Sequence, residues 1–588
     1  MRTKTTLVLF LALTIIMGSN AQTNELPRFA TDAERQLEPP LSLLTIGITT
    51  PPLAPVRTMA EWEELQSLII TWNGQSTILT EIVRAARLEC KVLICCSSQQ
   101  VVNLAKNKLT SSGVDITSNV EFIIAPNDSI WVRDYGPNSV YANDVDSLYF
   151  VDWIYNRPSR PKDDTIATSI APYFGVPLYS TSAAPTDLVN TGGNFMSDGM
   201  GTAFASSLIL NENEFGNPYG VTNKTEAQID GIMSDFMGID RYIKMTPLPY
   251  DVIHHIDMHM KLLDEETLLV GQYPAGVADG PQIEANIQYV LDNFKSSFGT
   301  PYKVVRIPMP PEAGQYPNTT GDYRTYANAV FVNKTILVPF YEQAYDTTAQ
   351  RVWQESMPGY KVVGINCNSI IPSLGAIHCI TKEVGVNEPL RIVHQALECQ
   401  DNGNTPGGYP IYATIQHRTG ITGAKLFYTT DLFAPWQSTD MWQGIIPNDD
   451  WFGSIPSQPG GSTVYYYIEG TAVNGKTLAR PITAPDGWWK FCVSLSSKAE
   501  EPLAATLLNI YPNPASAVTV VPLQSSAKTY GSILVFNSLG QMVQKVFAGE
   551  IPAGNSNHFL DAGRLASGAY FVKLQTGGQV QMKKLVVR

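Results

Sequence analysis

Between about Glu61 and Val386, short apolar runs alternate with segments that read as helices. Ser67-Leu-Ile-Ile-Thr71 and Lys91-Val-Leu-Ile-Cys-Cys96 are strand-like runs on either side of a helical stretch, Ile78 to Leu88. Val120-Glu-Phe-Ile-Ile-Ala125 is a further strand, and the whole stretch predicts an α/β region of roughly 330 residues with no readable internal repeat. The pattern then changes. From about 388 to 496 the chain is rich in Tyr, Thr, Gly and Trp, with alternating runs such as Ser462-Thr-Val-Tyr-Tyr-Tyr-Ile-Glu469 and frequent turn signals, which predicts an all-β sandwich. Ser494 to Pro502 reads as a polar linker, and Leu508-Asn-Ile-Tyr-Pro-Asn-Pro514 opens a last β-rich module ending in Met582-Lys-Lys-Leu-Val-Val-Arg588. Upstream, Pro39-Pro40, Pro51-Pro52 and Pro55 predict an extended N-terminal segment over 22–57, with ordered structure starting near Glu61.

The stretch Ile253 to Leu263 admits two readings. As a helix it places His255 and His259 four residues apart on one face, where they could share a metal. As a strand it sends Ile256, Met258, Met260 and Leu262 to one face and His255, Asp257 and His259 to the other. The strict alternation, and the hairpin suggested by Asp264-Glu-Glu-Thr267 before Leu268-Leu-Val-Gly271, favour the strand. At about 3.3 Å per residue the two histidines then stand roughly 13 Å apart, too far for one metal, while His255 and Asp257 at about 6.6 Å can flank a planar group.

At the N-terminus, Arg2 and Lys4 precede an apolar run from Leu7 to Met17 and a small-residue cleavage site at Ser19-Asn-Ala21. This is a signal peptide over residues 1–21; the run is shorter than the about 20 apolar residues a membrane span needs. No later segment is long and apolar enough to cross a bilayer, so the expected mature protein is soluble and exported. A net charge of -13 over 588 residues argues against a broad nucleic-acid surface, which needs clustered Lys and Arg, and does not exclude a cationic substrate, which acidic fields favour.

Of seven cysteines (90, 95, 96, 367, 379, 399 and 492), the odd count leaves at least one free thiol, and no Cys-x-x-Cys pair suggests structural zinc. Cys95 and Cys96 end an apolar run and read as core residues. Cys379 lies in Gly375-Ala-Ile-His-Cys-Ile-Thr-Lys-Glu-Val-Gly385, bracketed by glycines. As thiolate it would be a strong nucleophile. The adjacent His378 would point to the opposite face of a strand. Asp134, in Trp131-Val-Arg-Asp-Tyr-Gly-Pro137, follows a strand-like run and is expected near a strand end, where α/β proteins place ligands.

Taken together, Trp131-Val-Arg-Asp134-Tyr-Gly-Pro, Thr191-Gly-Gly-Asn194, His255-Ile-Asp257 and Ile377-His-Cys379-Ile-Thr resemble, in this order, the agmatine deiminase and peptidylarginine deiminase superfamily. His254-His-Ile-Asp-Met-His-Met-Lys261 and the export modules are similar to the bacterial Porphyromonas-type peptidylarginine deiminases. The resemblance implies an α/β fold, a five-bladed pseudo-fivefold α/β propeller over residues 58–387. An immunoglobulin-like β-sandwich over 388–496 and a type IX secretion sorting domain over 503–588 follow. It implies Cys379 as nucleophile, His255 as general acid and base, Asp134 and Asp257 as the carboxylates that grip a guanidinium, and Asn328 as an active-site amide. Trp131, Arg157 and Arg160 are implied to bind substrate. The expected reaction turns peptidyl-arginine into citrulline and ammonia through a thiouronium on Cys379. It requires no cofactor and no catalytic metal, though a structural cation is compatible with it.

In the Porphyromonas-type enzymes, two arginines near the position of Arg157-Pro-Ser-Arg160 bind the carboxylate of a C-terminal arginine. Here two residues separate them, where a tighter Arg-x-Arg arrangement is expected; exposed loop arginines are the plain alternative. Expected partners are arginine-containing peptides or proteins and the type IX secretion machinery, with the sorting module removed or exchanged for a lipopolysaccharide anchor at the surface. Three alternatives stand beside this reading: an agmatine deiminase, a metal-dependent amidohydrolase using His255, Asp257 and His259, and a non-enzymatic surface adhesin.

Overall fold

The computed structural model describes residues 25–36, 47–312, 323–400, 408–444, 449–494, 505–538, 540–576 and 579–588. The leader expected over 1–21 and all but the first residue of the linker from Ser494 lie outside them. The chain divides into two compact units, one up to Val493 and one from Ser494.

In the first unit the apolar runs are interior strands. Leu65–Thr71 lies between Lys382–Gly385, antiparallel, and Lys91–Cys96, parallel, with Val120–Ile124 beyond. Leu68, Ile69 and Ile70 are fully buried, as strands covered on both faces require. The helix Ser76–Ala86 makes the crossover, and Ile78, Leu79, Ile82, Val83 and Ala86 on it are buried, the spacing of one apolar helical face. The same unit, an antiparallel pair and then a helix leading to a parallel strand, recurs. It is built by Met196–Ser197, Thr202–Ser206 and Arg241–Met245 around helix Glu226–Met237. It is built again by Met260–Leu262, Thr267–Gln272 and Lys303–Pro308 with helix Gly280–Asn293. Val330–Val332, Thr335–Phe340 and Lys361–Asn366 repeat it with helix Gln343–Ser356. In a fifth sheet Asn138–Ala142 pairs antiparallel with Ser147–Asp152, which pairs parallel with Leu178–Ser180.

One closure matters for the site. The strand Lys382–Gly385 at the end of this region pairs with the strand nearest its beginning, Leu65–Thr71. That pairing fixes the turn holding Cys379, three residues upstream, against the first sheet.

Strands between Arg391 and Cys492 form an all-antiparallel array, and Tyr409–Gln416 alternates buried and exposed positions along its first half. Cys399 and Cys492 form a disulfide, leaving the other five cysteines free and buried. Arg480 pairs with Glu265 at 3.1 Å, which ties this array to the α/β region. The second unit has sheets of three and four strands around Val521, Leu523, Ile533, Val535, Val572, Leu574 and Leu585. Among the described residues no helix is long and apolar enough to cross a membrane.

Two expectations need correction. Ordered structure does not wait for Glu61: residues 25–36 are packed, with Arg28 fully buried. The stretch Ile253–Leu263 is neither one strand nor one helix. A single helical turn, Ile256–Met258, follows His255, and only Met260–Leu262 is strand. The alternation misled because both faces are buried: Ile256, Met258 and Met260, but also His255, Asp257, His259 and Lys261.

Candidate active site

Four short segments converge from different sheets. Asp134 sits on a single helical turn, Val132–Tyr135. The loop before it is pinned by Asp163, whose carboxylate accepts from the backbone N–H of Asp128 (2.7 Å) and Ser129 (3.0 Å) and from the Ser129 hydroxyl (2.6 Å). Asp257 lies on the turn after His255, and Cys379 on another turn, His378–Ile380, rather than on a strand. Asn328 precedes the strand Val330–Val332.

What they surround is the side chain of Arg28. Its Nε donates to Asp134 Oδ2 at 2.9 Å and its Nη2 to Asp134 Oδ1 at 2.8 Å. On the other side Nη1 donates to Asp257 Oδ1 at 3.0 Å and Nη2 to Asp257 Oδ2 at 3.1 Å. The planar fork is thus gripped bidentately twice, the arrangement that matches guanidinium to carboxylate. Cys379 Sγ stands 2.6 Å from Nη1. Asn328 Nδ2 donates to the same sulfur at 3.1 Å and to the Asp257 carbonyl at 3.1 Å.

His255 is fully buried. Its Nε2 pairs with Thr191 Oγ1 at 3.1 Å, and its Nδ1, with no hydrogen bond among the described residues, lies 3.5 Å from Asp134 Oδ1. The turn Gly192–Asn194 supplies the space. A Cβ at Gly193 would fall 1.6 Å from Arg28 Nη2 and 2.8 Å from His255 Nδ1, so only glycine leaves room for a guanidinium there. Gly193 N–H also donates to Asp134 Oδ1 at 3.0 Å. At Gly375 a Cβ would fall 2.4 Å from the Trp131 ring, so that glycine lets the indole lie against the turn that carries Cys379.

The charges respond to one another. Burial raises the Cys379 thiol well above its ordinary value, the Arg28 cation opposes this, and the two carboxylates add to it. Burial pushes against ionisation of Asp134 and Asp257 as well, yet the Arg28 guanidinium overrides it, and both lie below the usual carboxylate range. Burial first, and Arg28 second, push His255 down to about 3.

The remaining expected residues hold the backbone around Arg28. Trp131 Nε1 donates to the Leu26 carbonyl at 2.8 Å. Arg157 donates to the Arg28 carbonyl through Nε (3.2 Å) and Nη2 (3.1 Å). Arg160 Nη2 donates to the Phe29 carbonyl at 3.1 Å, and its Nε to Glu34 at 2.7 Å. Both arginines are buried, which overturns the picture of exposed loop residues.

His259 is buried, and among the described residues its Nδ1 has no hydrogen-bond partner. Among the described residues, the metal-capable side chains that converge are Glu61, His378 and Glu383, not His255 and His259. Protein partners engage each of them. His378 Nδ1 pairs with Asp257 Oδ2 (2.9 Å) and Nε2 with Glu61 Oε1 (3.0 Å). Glu61 also pairs with Lys261, and Glu383 with Arg133 at 2.7 Å.

Sequence reasoning passed over Arg28 and Glu61, and gave no role to Thr191 and His378 although both lie within the motifs it singled out. The divergence of strand neighbours does not apply to His378 and Cys379, because both lie on a helical turn. For Arg28 a signal was present. Thr31-Asp-Ala-Glu34 is a capping box, realised by Thr31 N–H to Glu34 Oε2 (2.8 Å) and Glu34 N–H to Thr31 Oγ1 (3.2 Å), and it starts the helix Asp32–Gln36.

A family model for Porphyromonas-type peptidyl-arginine deiminase matches residues 57–384, and one for a secretion system C-terminal sorting domain matches 509–588. The first covers more than half of the chain, which therefore belongs to the Porphyromonas-type peptidyl-arginine deiminase family. Among curated relatives, a provisionally named agmatine deiminase of Mycoplasma mycoides is 25% identical over 362 residues, 55% of this chain and 94% of that protein. One of Shewanella baltica is 27% identical over 295 residues, 45% of this chain and 76% of its own length. A solved structure bearing the same provisional name matches with TM-score 0.50 at 22% identity, over 58% of this chain and 98% of the other. A provisionally named arginine deiminase from Porphyromonas gingivalis matches with TM-score 0.48 at 21% identity, over 56% and 98%. The chain is a deiminase of this family, a class of hydrolases acting on C–N bonds. Its type IX sorting domain marks it for secretion or attachment at the outer surface.

Proposed function

We propose that this protein hydrolyses the guanidinium of peptidyl-arginine to citrulline and ammonia through a covalent intermediate on Cys379. The observation that carries this is the binding of an arginine within a chain. The Arg28 side chain stands in for a substrate guanidinium, and its carbonyl, held by Arg157, for the substrate's main chain. An amine such as agmatine has no such carbonyl. A C-terminal carboxylate would meet the same Arg157, so a C-terminal arginine fits as well; Arg160 on the next carbonyl supports acceptance of a continuing chain.

The resting thiol, raised by burial and two carboxylates, is a poor nucleophile, and the substrate's cation is the group that favours its thiolate. The double carboxylate grip holds the central carbon beside sulfur, so attack is intramolecular in effect. As sulfur adds to that carbon the thiol proton passes to the neutral His255, which faces the nitrogen beside Gly193 and hands that proton on, so that the C–N bond breaks and ammonia leaves. Water then adds to the thiouronium with His255 as base, and the C–S bond breaks. The substrate brings the positive charge and the protein the negative, so no metal or cofactor is invoked. His378, buried between Glu61 and Asp257, orients the second carboxylate.

We further propose that the five α/β sheets close into a five-bladed propeller around this site, with the array from Arg391 to Cys492 an immunoglobulin-like sandwich. The names of the curated relatives favour a second reading, agmatine as substrate. The test is a citrulline assay on an arginine peptide with the wild type and Cys379→Ala. Product that disappears in the variant is expected; product formed equally by both overturns the reading.

A further inference from the structure

We propose that Arg28 is a modification site of the protein's own active centre: residues 25–36 bind in cis as a substrate, and the enzyme deiminates its own Arg28. This deepens the reading above and rests on it.

The segment is held along its length, not only at the guanidinium. Glu25 accepts from the backbone N–H of Gln75 at 3.0 Å. The Leu26 carbonyl accepts from Trp131, and Arg28 N–H donates to the Ser373 carbonyl at 3.0 Å. Arg157 and Arg160 take the next two carbonyls. Glu34 closes the anchor: it accepts from Arg160 Nε at 2.7 Å and Nη2 at 2.9 Å and from the Ser159 hydroxyl at 2.8 Å. Both arginines that face the substrate's main chain are therefore engaged by this chain itself. With Arg28 and Cys379 fully buried, an external peptide cannot reach the sulfur while the segment is bound.

The bound arginine is poised for chemistry. Its Nη1 touches Cys379 Sγ at 2.6 Å, and its charge is what favours the thiolate. A C–S bond forms at its central carbon and a C–N bond breaks, releasing ammonia. Water then forms the C–O bond as the C–S bond breaks. The sum is guanidinium plus water to ureido group plus ammonium, with no redox change. The product is neutral. It leaves Asp134 and Asp257 buried without a cation, which is unfavourable, so the segment lets go and the cleft opens to other arginine chains.

The test uses the full chain and tandem mass spectrometry at position 28. Wild type is expected to carry citrulline there, and Cys379→Ala and Cys379→Ser to carry arginine. Adding wild type to Cys379→Ala should leave the latter's Arg28 unmodified, because it stays in its own site. In that background residues 26–34 should resist proteolysis, and Arg28→Gln should abolish the resistance. Arginine persisting at 28 in a wild type that converts an external arginine peptide overturns the inference and leaves the proposed function standing. Citrulline at 28 in the cysteine variants, alone or after mixing, overturns the cis reaction. A wild type that converts neither Arg28 nor external peptides brings down the proposed function and this inference together.

Discussion

At the scale of single residues the site is an electrostatic clamp around a flat cation. Each carboxylate makes two contacts to it in a buried setting, where losing one charged partner costs about 3–5 kcal/mol. Asp134→Asn or Asp257→Asn should therefore lower kcat/KM by about 10²- to nearly 10⁴-fold, at roughly 1.4 kcal/mol per decade; steady-state kinetics on an arginine peptide checks this. Arg157 reads only the main chain. Losing a charged hydrogen bond worth about 1.5–3 kcal/mol should make Arg157→Ala raise KM for peptides about 10- to 100-fold and leave agmatine unaffected. Equal losses on both substrates would contradict the role given to Arg157. Cys379, Asp134, His255, Asp257 and Asn328 were all legible as candidates, because their motifs survive in short strings. Arg28 was not: the capping box at Thr31 hinted only that the segment is ordered, and nothing in the string marked the arginine itself. Nor was the pairing of Cys399 with Cys492, which only the strand arrangement brings together.

At the scale of elements, helical turns rather than strands present Asp134, Asp257 and Cys379 to Arg28. The interior strands were readable as apolar runs because parallel strands are covered on both faces. The same fact defeated the reading of Ile253–Leu263, since alternation separates inside from outside only where one face meets water. The turn Gly192–Asn194 is the element most sensitive to volume. Gly193→Ala should fold yet lose turnover, because its Cβ would occupy the guanidinium's place; normal kinetics in that variant would contradict the geometry. The N-terminal segment should respond to acid. Burial would raise Glu34, but hydrogen bonds from Arg160 and Thr31 bring it from an ordinary 4.5 down to about 2. A lowered carboxylate stabilises the docked form fully above about 4.5, and the contribution fades as pH falls toward 2. A dye on Gln36→Cys in the Cys379→Ala protein should lose anisotropy over that interval, with circular dichroism reporting any global unfolding. Anisotropy that stays flat while the fold persists would contradict the anchoring by Glu34.

At the scale of the molecule, the chain returns from residue 382 to pair with the first sheet, so the turn that carries Cys379 depends on that closure. The five sheets share a plan of strand and helix but not a residue pattern, which is why the composition revealed α/β alternation and no repeat. The β-rich remainder was readable from its Tyr- and Thr-rich alternating runs, because exposed sheet faces leave a polar imprint. The disulfide closes a span of 93 residues, and its removal by Cys399→Ala with Cys492→Ala should cost about 2–5 kcal/mol, read as a lower midpoint in denaturant. The central claim concerns what the clamp holds. Its most direct measurement is kcat/KM for citrulline formation on three substrates: a peptide with an internal arginine, the same peptide ending at arginine, and agmatine. Both peptides should exceed agmatine by at least tenfold, with all turnover lost in Cys379→Ala; agmatine preferred over either peptide would contradict the account.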